Sequence, residues 1–203
     1  MKKLTASLVA ILGLIGTGFA GPSVVSSGKE TKQVVAPPAE EPCFKAGEWQ
    51  IDTFGQYSVG EGPGQVGLFR DHGVGGGVGL NYFFSRNIGL GIDAAWLAVT
   101  ESPDFQNTDR ADHETVIHNF SGSIIGRLPL DRCCLAPYVY LGGGFHVDGD
   151  QWASAHAGVG IEYRIVPNRF GLFVDGRWTY LGDRGGRDDL NFFSVRAGFR
   201  VIY

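Results

Sequence analysis

The five histidines of the sequence are the residues whose chemistry would say most about function. His146 and His156 fall on neighbouring predicted strands, where they could bind a metal ion or act as hydrogen-bond partners. His118 has Ser121 and Ser123 nearby, a combination that a lipid-modifying enzyme could use. Strand alternation places both serines on the face opposite His118, so no pair of nucleophile and base forms. We therefore predict no catalytic, cofactor-binding or metal site.

Two further motifs fail on their context. The glycines between Gly75 and Leu80 are spaced somewhat like a dinucleotide-binding loop, but the third glycine and the following helix are missing. Asp183, Asp188 and Asp189 cluster in one segment, yet their spacing is not that of an EF-hand calcium loop. Both segments are better interpreted as a curved, glycine-rich strand and a solvated charged loop.

Ten charged residues indicate a different chemistry, that of a buried ion network. They alternate along the chain opposite an apolar face, and they comprise five acids, five arginines and no lysine. Arginine holds a carboxylate through two parallel hydrogen bonds, so it suits buried pairs better than lysine does. We predict that these side chains pair and plug the interior of a barrel: Glu48, Asp52, Asp93, Glu162 and Asp175 with Arg127, Arg164, Arg177, Arg196 and Arg200.

The elements that must position these residues are β-strands. From Ala46 onward, apolar and polar residues alternate with a period of two in runs long enough to cross a bilayer as tilted strands. Turn-forming residues separate the runs. The pattern predicts an all-β protein, a transmembrane up-and-down antiparallel β-barrel of about eight strands. The predicted strands are 48–57, 73–84, 88–99, 114–128, 137–148, 152–165, 170–181 and 191–203.

Charge placement decides which face of the sheet points outward. A soluble lipocalin-like barrel also alternates, with its apolar face inside. Here the apolar faces carry no Asp, Glu, Lys or Arg and have aromatic residues near the strand ends, as membrane barrels do. The opposite faces are balanced in charge, which suits a narrow lumen. The apolar faces are therefore predicted to contact lipid.

The connections alternate in length. The segments 58–72, 100–113 and 182–189 are long, whereas 85–87, 129–135 and 167–169 are short. Outer-membrane barrels have short periplasmic turns and longer outer loops. We expect the three long segments, which include His72 and His113, to lie outside the cell, where loops on a rigid scaffold could bind a ligand.

The first 45 residues differ from the rest. Residues 1–20 have two lysines followed by a short apolar run and small residues at Gly18 and Ala20, which predicts a signal peptide. Residues 21–45 contain several prolines and are predicted to be a flexible periplasmic leader, with the barrel domain at 46–203. No later run of 18 apolar residues could form a transmembrane helix.

Charge and cysteine content narrow the function classes. Removing the signal peptide leaves 17 − 2 = 15 basic against 21 acidic residues, a net charge of −6. This net charge argues against nucleic acid as a partner, because binding it needs a basic surface. Of the three cysteines, Cys43 could pair with Cys133 or with Cys134 in an exported protein.

The C-terminal strand carries a recognisable pattern. Arg196, Gly198, Val201 and Tyr203 stand in the order polar, x, Gly, x, x, apolar, x, aromatic, which resembles the terminal signal of outer-membrane barrels. With the exported leader and the strand pattern, residues 46–203 resemble the OmpA-like family of eight-stranded barrels. The resemblance implies insertion by the barrel-assembly machinery and a location in the cell outer membrane.

The sequence favours a structural, non-enzymatic outer-membrane protein with surface loops. The expected partners are outer-membrane lipid, the assembly machinery and an extracellular ligand at the loops, with no nucleic acid and no cofactor. An adhesin, a small channel, a lipid-modifying enzyme and a soluble lipocalin-like binder are the alternatives.

Overall fold

The computed structural model contains a closed barrel of eight antiparallel strands, each paired with its neighbours in sequence, and β1 pairs with β8 to close it. It describes residues 42–61, 72–100, 114–148, 150–182 and 190–203. The strands are β1 Glu48–Glu61, β2 His72–Phe83, β3 Ile88–Thr100, β4 Glu114–Arg127, β5 Leu135–Asp148, β6 Asp150–Val166, β7 Phe170–Leu181 and β8 Leu190–Ile202. The fold prediction is confirmed.

The strand bounds agree with the alternation and differ mainly at the ends. β7 spans the predicted residues, whereas β1 continues to Glu61 because residues 58–61 pair with β8. His72 is the first residue of β2 rather than part of a loop, and its ring stacks on Tyr57 at 5.8 Å. Of the predicted long loops 58–72, 100–113 and 182–189, residues 62–71, 101–113 and 183–189 lie outside the described residues, as do His113 and the signal peptide.

The outward face of the described strands is mostly apolar, with His118 as a polar exception. Leu141 and Val159, near its middle, are 62% and 63% exposed. Aromatic side chains gather at both rims, with Trp49 against Tyr82 near the short turns and Trp178 against Tyr180 near the long loops. Such an apolar band between aromatic girdles is the exterior of a barrel that spans a membrane.

Local chemistry forms the short turns. In the β2–β3 turn the Ser85 hydroxyl accepts hydrogen bonds from the backbone N–H groups of Asn87 and Ile88, at 3.3 and 2.9 Å. Asn168 adopts a left-handed conformation in the β6–β7 turn, a role that asparagine tolerates well. A 3-10 helix, Asp131–Cys133, forms the β4–β5 turn. We call this side of the barrel the turn end and the other side the loop end.

The chain packs against the barrel before the predicted start at Ala46. Cys43 forms a disulfide with Cys134, and Phe44 is fully buried beside Ala136. The structure thus selects Cys134 as the partner and leaves Cys133 free and exposed. The ring of Phe44, the residue after Cys43, covers the turn end of the lumen.

Glycines make room for large side chains inside the narrow barrel. Gly158 and Gly160 of β6 face inward, and a Cβ atom at either position would overlap the ring of Tyr140 or Tyr138. The sheet therefore alternates small and large residues to fill the interior. Among the described residues, no helix is long and apolar enough to cross a membrane.

Candidate functional site: the barrel lumen

The structure brings all ten predicted network residues into the interior of the barrel. They form two groups along its axis. The lower ion cluster lies nearer the turn end and the upper ion cluster lies above it. The lower cluster contains Glu48, Asp52, Glu162, Arg127, Arg164 and Arg200, and the upper cluster contains Asp93, Asp175, Arg177 and Arg196.

Glu48 organises the turn-end side of the lower cluster. Its carboxylate accepts a hydrogen bond from Arg127 at 3.0 Å and also pairs with Arg164, which in turn pairs with Glu162. Both guanidinium groups lie over the Phe44 ring, at 5.0 and 4.8 Å from its centroid. Phe44 therefore covers the ion cluster with an aromatic face that favours cations.

Arg200 links the lower cluster across the seam that closes the barrel. It donates two hydrogen bonds to Asp52, at 2.7 and 2.6 Å, and one to Glu162 at 2.6 Å. Asp52 and Arg200 are direct partners in the β1–β8 pairing. Three arginines thus balance three carboxylates in this cluster, which is the condition for keeping charges buried.

The upper cluster pairs two acids with two arginines. Arg196 holds Asp175 through two hydrogen bonds at 2.7 and 2.9 Å, and Arg177 holds Asp93 at 3.1 and 2.8 Å. Asp175 also accepts hydrogen bonds from the hydroxyls of Tyr138 and Tyr140, each at 2.8 Å. Each cluster is neutral, so neither has a net charge with which to attract a free ion.

Uncharged polar residues also line the lumen, next to the ion clusters. Ser123 and His156 form a hydrogen bond of 2.8 Å, and His146 is buried with its Nδ1 atom unpaired in the protein. Both histidines face the lumen, as the alternation predicts. Among the described residues, no group of three or more His, Cys, Asp or Glu side chains could hold a metal ion.

The loop end of the lumen is apolar, which the sequence interpretation missed. Six inward-facing residues form a buried cluster there: Leu97, Val99, Ile117, Trp152, Leu181 and Phe192. The signal was present in the sequence, because the inward positions of several strands change from polar to apolar at this end.

Little free space remains in the described part of the lumen. A void of about 30 Å³ lies between the two ion clusters, and another of about 10 Å³ lies near His146 and Asn119. A water molecule needs about 10–15 Å³ of such space. Each of these two voids therefore has room for one or a few water molecules and no larger ligand.

The predicted assembly-signal residues lie on the closing strand. Arg196 and Gly198 face the lumen, whereas Val201 and Tyr203 face outward. The backbones of Tyr203 and Trp49 exchange two hydrogen bonds, at 2.9 and 3.1 Å. A Cβ atom at Gly198 would overlap the Thr53 carbonyl oxygen of β1, so glycine permits the close approach of the two strands at the seam.

No protein-family model matches the sequence, and no characterised protein matches it by sequence. Solved structures do match the fold. Neisserial surface protein A superposes with a TM-score of 0.57 at 14% identity, covering 76% of this chain and 95% of that protein. The attachment invasion locus protein Ail of Yersinia pestis, solved with the heparin analogue sucrose octasulfate, gives 0.51 at 16% identity over 78% and 99%.

The N-terminal barrel domain of Pseudomonas aeruginosa OprF gives a TM-score of 0.50 at 14% identity, over 78% of this chain and 99% of the domain. The fold is that of an outer-membrane β-barrel. Identities this low show the fold alone. At that level the predicted resemblance to OmpA-like barrels is confirmed, and the predicted outer-membrane location agrees with the fold and with the apolar exterior.

Proposed function

We propose that this protein is a structural barrel of the outer membrane that presents surface loops and has no open pore. The filled lumen supports this proposal. Phe44 covers the turn end, the two neutral ion clusters occupy the middle, and the apolar cluster fills the loop end. An eight-stranded barrel is just wide enough for side chains to fill it.

Conductance of the purified protein in planar bilayers tests the absence of a pore. We expect no steady conductance above the lipid baseline, because ions would have to displace paired charges and an apolar cluster. The Phe44→Ala variant removes the buried ring at the turn end and is the test variant. The control is Phe84→Ala, which removes an outward ring that is 53% exposed. Long-lived open channels in the wild-type protein would refute the proposal.

Surface presentation is tested separately on intact cells. A peptide epitope inserted within 101–113 should bind antibody without permeabilising the cells, because β3 ends and β4 begins at the loop end. The same epitope inserted in the turn 167–169 should become accessible only after permeabilisation. Equal accessibility of the two sites would contradict the proposed orientation.

Ligand binding through the loops is a second candidate function. The segments 62–71, 101–113 and 183–189 carry eight acidic and four basic residues. This excess disfavours a sulfated polyanion, the kind of ligand present in the Ail structure, and favours a cationic ligand or surface. Protease removal of the loops should abolish such binding, and binding should weaken as salt concentration rises.

A further inference from the structure

A groove of about 620 Å³ runs across the membrane-facing side of β1 to β5. Its floor is made by small residues on adjacent strands, including Ala94, Gly122 and Gly143. The side chains around the floor are large and apolar: Ile51, Val78, Leu80, Ile92, Phe120 and Phe145. The groove is therefore a hollow in an otherwise convex apolar surface.

The strand register produces this hollow. Gly122 and Gly143 are direct partners across β4 and β5, so no side chain covers the backbone there. The next outward pair is Phe120 and Phe145, whose rings are 55% and 59% exposed and stand beside the empty position. Glycine beside phenylalanine on two paired strands makes a cleft with an apolar wall.

A polar residue lies at the end of this groove. His118 is the next outward residue beyond Phe120, about 7 Å further along β4 toward the loop end. Its side chain points outward and forms no hydrogen bond with the described residues. Its direct partner on β3 is Trp96, which is 51% exposed. Tryptophan at the edge of an apolar band marks the membrane–water interface.

We propose that the groove and His118 form a binding site for an acylated, phosphorylated lipid of the membrane leaflet at the loop end. An acyl chain fills the hollow above Gly122 and Gly143. The His118 ring donates a hydrogen bond to a phosphate oxygen of the headgroup, and Trp96 packs beside that headgroup. The site thus pairs an apolar chain with a polar group at the depth where a lipid presents both.

Lipid fits this surface better than a protein does. The groove opens into hydrocarbon, where a peptide strand lying in it would leave backbone N–H and C=O groups without partners. A second barrel would present a convex exterior with side chains on its surface and could touch the groove only along a narrow line. An acyl chain has no polar atoms and adapts to a narrow hollow.

The structure offers a matched pair of variants for a test. A Cβ atom at Gly122 would meet only the Gly91 carbonyl oxygen, at 3.9 Å, so Gly122→Leu should fold and fill the groove. Gly126 lies four residues away on the same face of β4, outside the groove. Its Cβ atom would meet only Val139, at 3.8 Å. Gly126→Leu is therefore the control.

Native mass spectrometry of the detergent-solubilised protein, titrated with purified lipid A, measures the binding. We expect one lipid to bind the wild type preferentially. Gly122→Leu should weaken its apparent affinity at least tenfold, a change of about 1.4 kcal/mol, whereas Gly126→Leu should leave it unchanged. Ala94→Leu blocks the same floor and replaces Gly122→Leu if that variant shows no heat-dependent gel shift. Equal affinities for groove and control variants would overturn the proposal.

A second titration tests the phosphate contact. The wild type should prefer bisphosphorylated lipid A over its dephosphorylated form, and His118→Leu should lose that preference while still binding the acyl chains. An unchanged preference in His118→Leu would remove the phosphate from the proposed ligand and overturn the site as stated.

Discussion

Replacing Arg200 with methionine is expected to lower the free energy of unfolding by about 3–5 kcal/mol, the usual result of leaving a buried charge without its partner. Arg200 makes three hydrogen bonds, two with Asp52 and one with Glu162, at 2.6–2.7 Å. All three side chains are at most 8% exposed. Methionine keeps an unbranched stem but removes the guanidinium group, which leaves Asp52 without an arginine and Glu162 with Arg164 alone.

Equilibrium unfolding in urea, with the protein refolded into lipid vesicles and followed by tryptophan fluorescence, measures the change. Arg86→Met is the control, because the Arg86–Asp131 pair has side chains that are 46% and 40% exposed. Exposed pairs contribute about 0–1 kcal/mol. The double variant Arg200→Met, Asp52→Asn should recover stability, since it leaves two arginines against two carboxylates in the lower cluster. Equal effects of the Arg200 and Arg86 variants would refute the argument that burial makes the network essential.

Three further predictions concern the disulfide, the lumen glycines and the C-terminus. In the oxidised protein only Cys133 should react with a thiol reagent, and Cys43→Ser should cost about 2–4 kcal/mol of stability while Cys133→Ser costs little. Peptide mapping and urea unfolding check both, and a Cys43–Cys133 linkage would contradict them. Gly158→Leu should abolish the heat-dependent gel shift, because the Tyr140 ring occupies that space; a normal shift would show that the lumen can rearrange. Deleting Tyr203 should impair assembly in cells more than refolding in detergent, and equal defects would point to lost strand pairing alone.

The sequence predicted the barrel because two-residue alternation and charge placement are local properties of the chain. β7 was predicted to the residue, and the face of each network residue followed from parity. The partner of each charge did not follow, because Arg200 and Asp52 are 148 residues apart and meet only when the barrel closes. The burial of Phe44 was missed for the same reason, since a short segment after a proline-containing leader gives no periodic pattern.

The alternation of inward and outward positions could not by itself show that an apolar cluster forms at the loop end. Leu97, Ile117 and Phe192 occupy inward positions, where the rule for a charged lumen predicts polar residues. Their burial depends on how narrow the barrel is at that level, and width depends on the combined tilt and register of all the strands. Each of five strands contributes one or two residues to this cluster. The sequence of any one strand therefore does not show that these residues meet.

Two ion pairs of the lumen, Asp175–Arg196 and Asp52–Arg200, differ in what their formation requires. Asp175 and Arg196 lie on adjacent strands of one hairpin, 21 residues apart, and can pair before the barrel closes. Asp52 and Arg200 face each other across the β1–β8 seam, so their hydrogen bonds require the first and last strands to meet. A carboxylate on an open sheet edge would remain without its arginine until that moment. The seam pair therefore stabilises the closed barrel specifically, whereas the hairpin pair stabilises the last two strands whether or not the barrel has closed.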